Sequence, residues 1–360
     1  MAIQWADNFG RYGTGTGSRT AMLAGLPYSN IGTTNGGVVE ASPDPNDDQR
    51  SFKIGSNGND WPQDFRISLP TVVTSGLTGV LARIWLDRLP ASNNERAAVL
   101  GFQRANGDYL AYVRVEQNGA LTIHARVSGV ITQLFDSVNP VISPSSFNHY
   151  EFTYNRSTGA GGIYINGVLR GSYTGADFGD NVVFVNCSNR TGSGVSLGAW
   201  YKDLVIWDAT GTQNNTAPMG TVIVRRLNPN GDVTLGDWVP STGSTGFNLL
   251  NKSTPNDTTF LSADSTSPNP MTFNLENLPP DITSVRGLVK VHRSRKVDGG
   301  DANIQTGISP NGTTWDNGAD RPITSAFSYY FDISELDPVT AAPWTPVGVD
   351  SATFRIDRTV

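Results

Sequence analysis

Eight Asn-Gly pairs punctuate this chain, at Asn35, Asn57, Asn106, Asn118, Asn166, Asn230, Asn311 and Asn317. Both residues tolerate the positive φ of a two-residue hairpin turn, so the pair is a strong local signal for antiparallel strands. The flanking residues alternate with period two. Tyr109, Ala111, Val113 and Val115 fall on one face, against Arg114 and Glu116 on the other. Beyond Asn118-Gly119, Leu121, Ile123, Ala125 and Val127 share a face against Thr122, His124, Arg126 and Ser128. That spacing predicts a half-buried hairpin. Further strands are expected at 80–86, 150–154 and 204–207, with a hairpin at 162–169 around Asn166-Gly167. Composition agrees, since 39 Gly, 21 Pro and only 16% charged residues suit strands and tight turns better than helix surfaces. The one helix expected is short, from Ser18 as N-cap to Gly25 as stop. The class is all-β.

A length of 360 residues suggests two domains, each able to bury its own core. Residues 1–60 are rich in Gly, Asn and Asp and read as an arm or long loops. Residues 61–210 carry the first set of strands, and the polar stretch at 211–220 reads as a linker. Strand-like segments restart at 222–227, 258–261, 285–291, 327–331 and 353–356, so 221–360 is expected to form a second β-sandwich. The net charge of −6 argues against a nucleic-acid surface. Cys187 is the single cysteine, which excludes an intramolecular disulfide and fits folding in a reducing cytoplasm. The N-terminal residues show no secretory signal, and no apolar run reaches the roughly 18–20 residues that would cross a bilayer.

Two stretches carry a resemblance. The run YEFTYNRSTGAGGIYINGVLRGSYTG (150–175) and the closing SLGAWYKDLVIWD (196–208) resemble the laminin-G/concanavalin jelly roll. The order DLVIWDATGTQNNT, GTVIVRRLNPNGD, WVPSTGSTGFNLLN and PND across 203–257, with PVTAAPWTPVGVDSATFRI at 338–356, is similar to bacteriophage virion proteins in which a jelly roll precedes a β-rich domain. The resemblance implies a jelly roll followed by a second β-sandwich, in a structural component of a tailed-phage particle. The head (capsid decoration) and the tail (adaptor or fibre base) are equally open. It also implies synthesis in the host cytoplasm, other virion proteins as partners, self-association with a trimer among the options, and a host glycan as a possible ligand.

Many glycosidases share this fold, and their chemistry needs two placed carboxylates. The six glutamates, Glu40, Glu95, Glu116, Glu151, Glu276 and Glu335, include no Glu-x-Asp-x-x-Glu strand motif. Glu116 and Glu151 read as solvent-side strand residues. His124, His149 and His292 are scattered, no Gly-x-Ser-x-Gly elbow is present, and Cys187 reads as a small buried apolar residue. No enzyme and no cofactor are expected. Structural calcium has two candidate clusters: Asp44 with Asn46, Asp47 and Asp48, where an EF-hand loop fails for want of its Gly and Glu, and Asp177 with Asp180 and Asp203 at the sandwich rim. Trp85, Tyr112, Tyr164 and Tyr201 read as exposed aromatics able to stack on sugar rings. Lys290, His292, Arg293, Arg295 and Lys296 form the one basic cluster, with Lys290 and His292 on a solvated strand face available for docking. The leading reading is thus a non-enzymatic virion component. A carbohydrate-binding module and a polysaccharide-degrading enzyme are the alternatives.

Overall fold

The computed structural model describes residues 2–9, 11–12, 28–31, 38–44, 50–55, 63–90, 96–190, 197–243, 245–252, 256–263, 269–297 and 299–359. The chain forms two compact units, the first ending at Val224 and the second running from Arg225 to Val360. Both are built almost wholly of antiparallel strands, and the fold class is a jelly-roll sandwich followed by a second β-domain.

Unit 1 contains β1 (Ile3–Asp7), β2 (Tyr28–Ile31), β3 (Val38–Ala41), β4 (Arg50–Gly55), β5 (Gln63–Val73), β6 (Leu77–Leu86), β7 (Arg96–Gln103) and β8 (Tyr109–Val115). It continues through β9 (Leu121–Val127), β10 (Val130–Asp136), β11 (Phe147–Asn155), β12 (Gly161–Ile165), β13 (Val168–Tyr173), β14 (Val182–Arg190) and β15 (Gly198–Asp208). Among the described residues one sheet has the order β13-β12-β11-β6-β15-β4-β3, with β1 also on β15, and the other has the order β10-β9-β8-β7-β14-β5-β2. Each expected Asn-Gly turn of the central hairpins forms, with Asn166 at φ 52° and Gly167 at φ 78°, and Gly119 at φ 83°. The two inner faces meet in an aromatic core. Phe102 of β7 stacks 5.5 Å from Phe152 of β11, and Phe65 of β5 lies edge-on to Phe52 and Tyr201 at 4.9 and 5.7 Å.

The described residues among the N-terminal 60 do not form an arm. β1, β3 and β4 complete one sheet and β2 the other. Trp5, Phe9, Tyr12, Tyr28, Val39 and Phe52 are all buried. Beneath them the buried Asp7 carboxylate accepts hydrogen bonds from the Tyr12 hydroxyl, the Tyr28 hydroxyl at 2.7 Å and the Phe9 amide at 2.8 Å. Local polarity concealed this, because strands between Gly-rich loops are short and their apolar residues few. The expected helix at 18–24 lies outside the described residues. The polar stretch at 211–220 belongs to unit 1, where the Met219 amide donates to both oxygens of the buried Glu151 at 3.0 and 2.9 Å. Glu151 is therefore a buried anchor and not a solvated strand residue.

Unit 2 contains β16 (Pro229–Thr234), β17 (Val239–Pro240), β18 (Leu261–Ser262), β19 (Met271–Leu275), β20 (Leu288–Ser294), β21 (Asn303–Ser309), β22 (Asp316–Asn317), β23 (Arg321–Pro322), β24 (Ser328–Ser334) and β25 (Thr353–Arg358). Its main sheet has the order β16-β19-β25-β21-β22, with β23 also on β21, while β17-β18 and β20-β24 are two-stranded. Residues 222–227, expected as a strand, form no strand and pair with none among the described residues. Met271, Phe273, Ile304 and Ile356 pack with Trp238 in one core cluster, and Ile308, Trp344 and Val349 form a second.

Candidate functional site

The four aromatics expected to bind sugar do not share a surface. Tyr201 is fully buried between the sheets, where its hydroxyl donates to the Ser188 carbonyl at 2.9 Å and its ring meets Phe65. Strand parity places it there, since its neighbours Trp200 and Lys202 take the outer face. Trp85 and Tyr164 are half-buried on the outer face of the first sheet. Trp85 pairs with Phe147 edge-on at 5.5 Å, whereas Tyr164 sits opposite Glu151, four residues away along β11. That offset is roughly 13 Å, too long for one ring platform. Tyr112 lies on the outer face of the second sheet, yet it is buried there and not exposed as expected, because its ring stacks on His124.

That second face is where polar chemistry gathers. Register pairing lines up Gln133 of β10, His124 of β9, Tyr112 of β8, Gly101 of β7, Asn186 of β14 and Arg66 of β5 in one row across the strands. Tyr112 and His124 stack at 5.0 Å with their rings 9° from parallel. Gly101 leaves a gap in the row, and the ring of Tyr109 fills it. A Cβ at residue 101 would lie 2.6 Å from Tyr109 Cε1 and 2.9 Å from Tyr112 Cβ, so only glycine lets the ring lie on the backbone. The Tyr109 hydroxyl donates to Asn186 Oδ1 at 2.5 Å, and Asn186 Nδ2 donates to Asp64 Oδ2 at 2.9 Å. Asn186 is buried and positions the ring, while Tyr109 and Asp64 remain half-open. Burial raises the pKa of the Asp64 carboxyl above its ordinary value, against the opposing hydrogen bond from Asn186 and the nearby Arg66 charge. Burial likewise pushes the Tyr109 hydroxyl up, keeping it a neutral donor.

Further polar groups rim this trough. Arg114 Nε contacts Glu116 Oε1 at 2.6 Å, Thr122 Oγ1 donates to the same oxygen at 2.6 Å, and His124 Nε2 sits 3.2 Å from Thr122 Oγ1. On the other side, the Arg66 guanidinium lies 5.1 Å from the centre of the Phe184 ring. Arg66 Nε and Gln103 Oε1, a donor and an acceptor that flank Phe184, are both buried without a hydrogen-bond partner among the described residues. A buried water would satisfy both. Rings, fixed amides and paired charges of this kind suit the CH faces and hydroxyls of a sugar.

No family model matches the chain, and no curated protein matches it. Solved structures offer likenesses only. A sialidase aligns at 9% identity over 57% of this chain and 18% of its own, with a TM-score of 0.42. The cellulose-induced protein Cip1 aligns at 17% over 51% of this chain and 90% of its own, TM-score 0.40. The carbohydrate-binding module CBM66 from Bacillus subtilis aligns at 11% over 51% and 96%, TM-score 0.34. At such values the site's chemistry is read from its own residues.

Sequence reasoning placed Tyr109 on the core face with Ala111. The β7–β8 register slips between the pairs Phe102–Ala111 and Gln103–Tyr109, leaving Leu110 as the extra residue of a β-bulge that turns Tyr109 outward. A glycine inside an otherwise apolar strand, Gly101, was the available signal.

The basic cluster of unit 2 also departs from expectation. Lys290 and His292 are buried, and Val289 and Val291 are the half-exposed residues. Lys290 Nζ reaches the Asp316 carbonyl at 2.9 Å, and His292 stacks on Tyr330 at 5.1 Å. On this inward face Asp316 supplies hydrogen-bond partners for Lys290, while His292 is held by its stack on Tyr330 with the Asp332 charge nearby. Arg293 pairs with Asp257 and lies over Phe327, which Arg295 also covers at 4.6 Å; Lys296 donates to the Gly300 carbonyl at 2.7 Å. Only Arg295 of the five is well exposed. The rim carboxylates offered for calcium separate as well. Asp177 accepts the Ser128 and Gly129 amides, Asp180 pairs with Arg104 at 2.8 Å, and the buried Asp203 pairs with Arg83 at 3.1 Å. Asn46, Asp47 and Asp48 lie outside the described residues, and among those described no group of three ligating side chains could hold a metal ion.

Proposed function

We propose that unit 1 is a carbohydrate-binding module, and that the glycan lies in the trough around Tyr109. The observation that carries this reading is the Tyr109 ring laid over Gly101 and held by the Asn186–Asp64 pair. A flat, fixed ring loses little freedom when a pyranose stacks on it. Binding without turnover is the favoured chemistry. Asp64, the carboxylate beside the Tyr109 ring, stands across β7 and β14 from Glu116, at least roughly 14 Å apart at normal strand spacing. Hydrolysis by a carboxylate pair uses about 5–9 Å. Glu116 is moreover engaged by Arg114 and Thr122.

Isothermal titration of the full chain against a panel of soluble polysaccharides tests the reading. Tyr109→Ala is expected to weaken binding at least tenfold, while Tyr164→Ala, on the opposite sheet, leaves it unchanged. Binding that survives Tyr109→Ala, or no binding to any polymer, refutes it. We further propose, on the resemblance of residues 203–257, that this module is carried on a phage particle. Its absence from purified particles by antibody labelling would remove that placement.

A further inference from the structure

We propose that unit 1 pairs with a second copy of this chain through β10, joining two seven-stranded sheets into one. β10 is the edge strand of its sheet, and among the described residues no backbone hydrogen bond reaches its outer side. Val130 is 66% exposed and Ile131 38%. On β13, which lies beside β10, Val168 and Leu169 are also exposed. Edge strands are usually guarded by Lys, Pro or a covering segment. The first five residues of β10, Val-Ile-Thr-Gln-Leu, contain no charge and no proline.

The hairpin turn decides which groups face outward. Val127 and Val130 flank the two-residue loop Ser128-Gly129, whose φ values are 50° and 81°. In such a hairpin the flanking pair is hydrogen-bonded, and bonded and unbonded pairs alternate from there. Val130 and Thr132 therefore bond to β9, while Ile131 and Gln133 turn their amides and carbonyls away from it. A two-fold axis through Thr132 sets Ile131 opposite the partner's Gln133 and makes four backbone hydrogen bonds. It sets Thr132 opposite its own copy, and no charged residue falls in the paired stretch, because the bulge at Leu134 ends the register before Asp136, the only charged residue of the strand. No like charges meet, so the strand is complementary to itself, which singles out a second copy as the occupant. The axis stands normal to the sheet, so both Tyr109 troughs open on the same side. A glycan bearing repeated epitopes would then be bound bivalently. The pairing itself does not depend on what the trough binds.

Sedimentation of the full chain should show a concentration-dependent monomer–dimer equilibrium. Ile131→Lys and Gln133→Pro, which removes an outward amide, should each weaken it at least tenfold with circular dichroism unchanged. Thr132→Cys supplies an independent readout. Unbonded antiparallel pairs bring Cα atoms to about 4.5 Å, within the span of roughly 4.4–6.8 Å that a disulfide bridges. Mild oxidation should therefore link Thr132→Cys into a covalent dimer, while the wild type, whose Cys187 is buried, stays unlinked. A chain that remains monomeric at millimolar concentration, a trimer, or a dimer that survives both substitutions and leaves Thr132→Cys unlinked overturns the proposal.

Discussion

Gly101 and Tyr109 show how one missing side chain shapes a surface. Even the smallest added group would meet the Tyr109 ring at 2.6 Å, so Gly101→Ala must lift that ring from the sheet. We expect a stability loss of about 1–3 kcal/mol by overpacking and loss of glycan affinity similar to that of Tyr109→Ala. Unchanged melting and unchanged titration would show that the ring is not seated as described. A second residue-scale feature is the pair of buried histidines. Burial, with Arg83 and Lys202 adding to it, pushes His149 down to about 3, and burial pushes His292 down to about 4 despite Asp332. Both stay neutral in the folded protein at pH values where the unfolded chain, with an ordinary value near 6.5, takes up a proton. The unfolded state then binds more protons, so stability falls as pH drops from about 6.5 toward 4 and is intact above that window. Asp64 and Asp203, whose values burial raises, work in the opposite direction at pH values above the ordinary carboxyl range. A difference experiment isolates the histidine. His292→Phe, which preserves the stack on Tyr330, should gain up to about 3 kcal/mol relative to wild type between pH 7 and pH 4.5. A pH-independent difference in denaturant unfolding would exclude this account.

Elements here owe their limits to turns and caps more than to propensity. The hairpin at 127–130 closes on Ser128 and Gly129, both with positive φ, and the Asp177 carboxylate holds their two amides at 2.7 and 2.8 Å. The short helix Pro346–Asp350 begins at Thr345, whose hydroxyl accepts the Gly348 amide at 3.0 Å, with proline in the first turn where its missing amide costs nothing. Thr345→Ala should destabilise unit 2 by about 1 kcal/mol, and chemical denaturation followed by the fluorescence of the neighbouring Trp344 would detect it. No change would mean that water replaces the cap without loss. The expected strand at 222–227 met a different fate. Its apolar residues Val222, Ile223 and Val224 are contiguous, and the Val224 amide is used by the Asp203 carboxylate at 2.9 Å, which removes it from any strand ladder. An apolar run reports side chains suited to burial and not a strand available to pair with them.

At the scale of the molecule, two compact units imply two cooperative transitions. Phe102 stacks at the centre of the first and Phe273 is fully buried in the second. Phe102→Ala and Phe273→Ala should each cost about 3–5 kcal/mol and shift different calorimetric transitions; a single transition answering to both would contradict the division at Val224. The all-β class, the central hairpins and the second β-domain were legible because turn chemistry and period-two alternation are local properties. The N-terminal strands were missed because their burial depends on partners far along the chain, such as β15 for β1. Parity misassigned Tyr201 and Tyr109 for related reasons: the first needs to be known as inner or outer, and the second changes face at a bulge set by strand pairing. The same holds for Lys290 and His292, whose carboxylate and aromatic neighbours come from other strands. Sequence alone, through backbone sterics and side-chain alternation, determined that this chain forms hairpins packed into sheets. Only tertiary structure decided which rings and charges meet, because register and sheet packing are fixed by contacts between segments that local sequence does not contain.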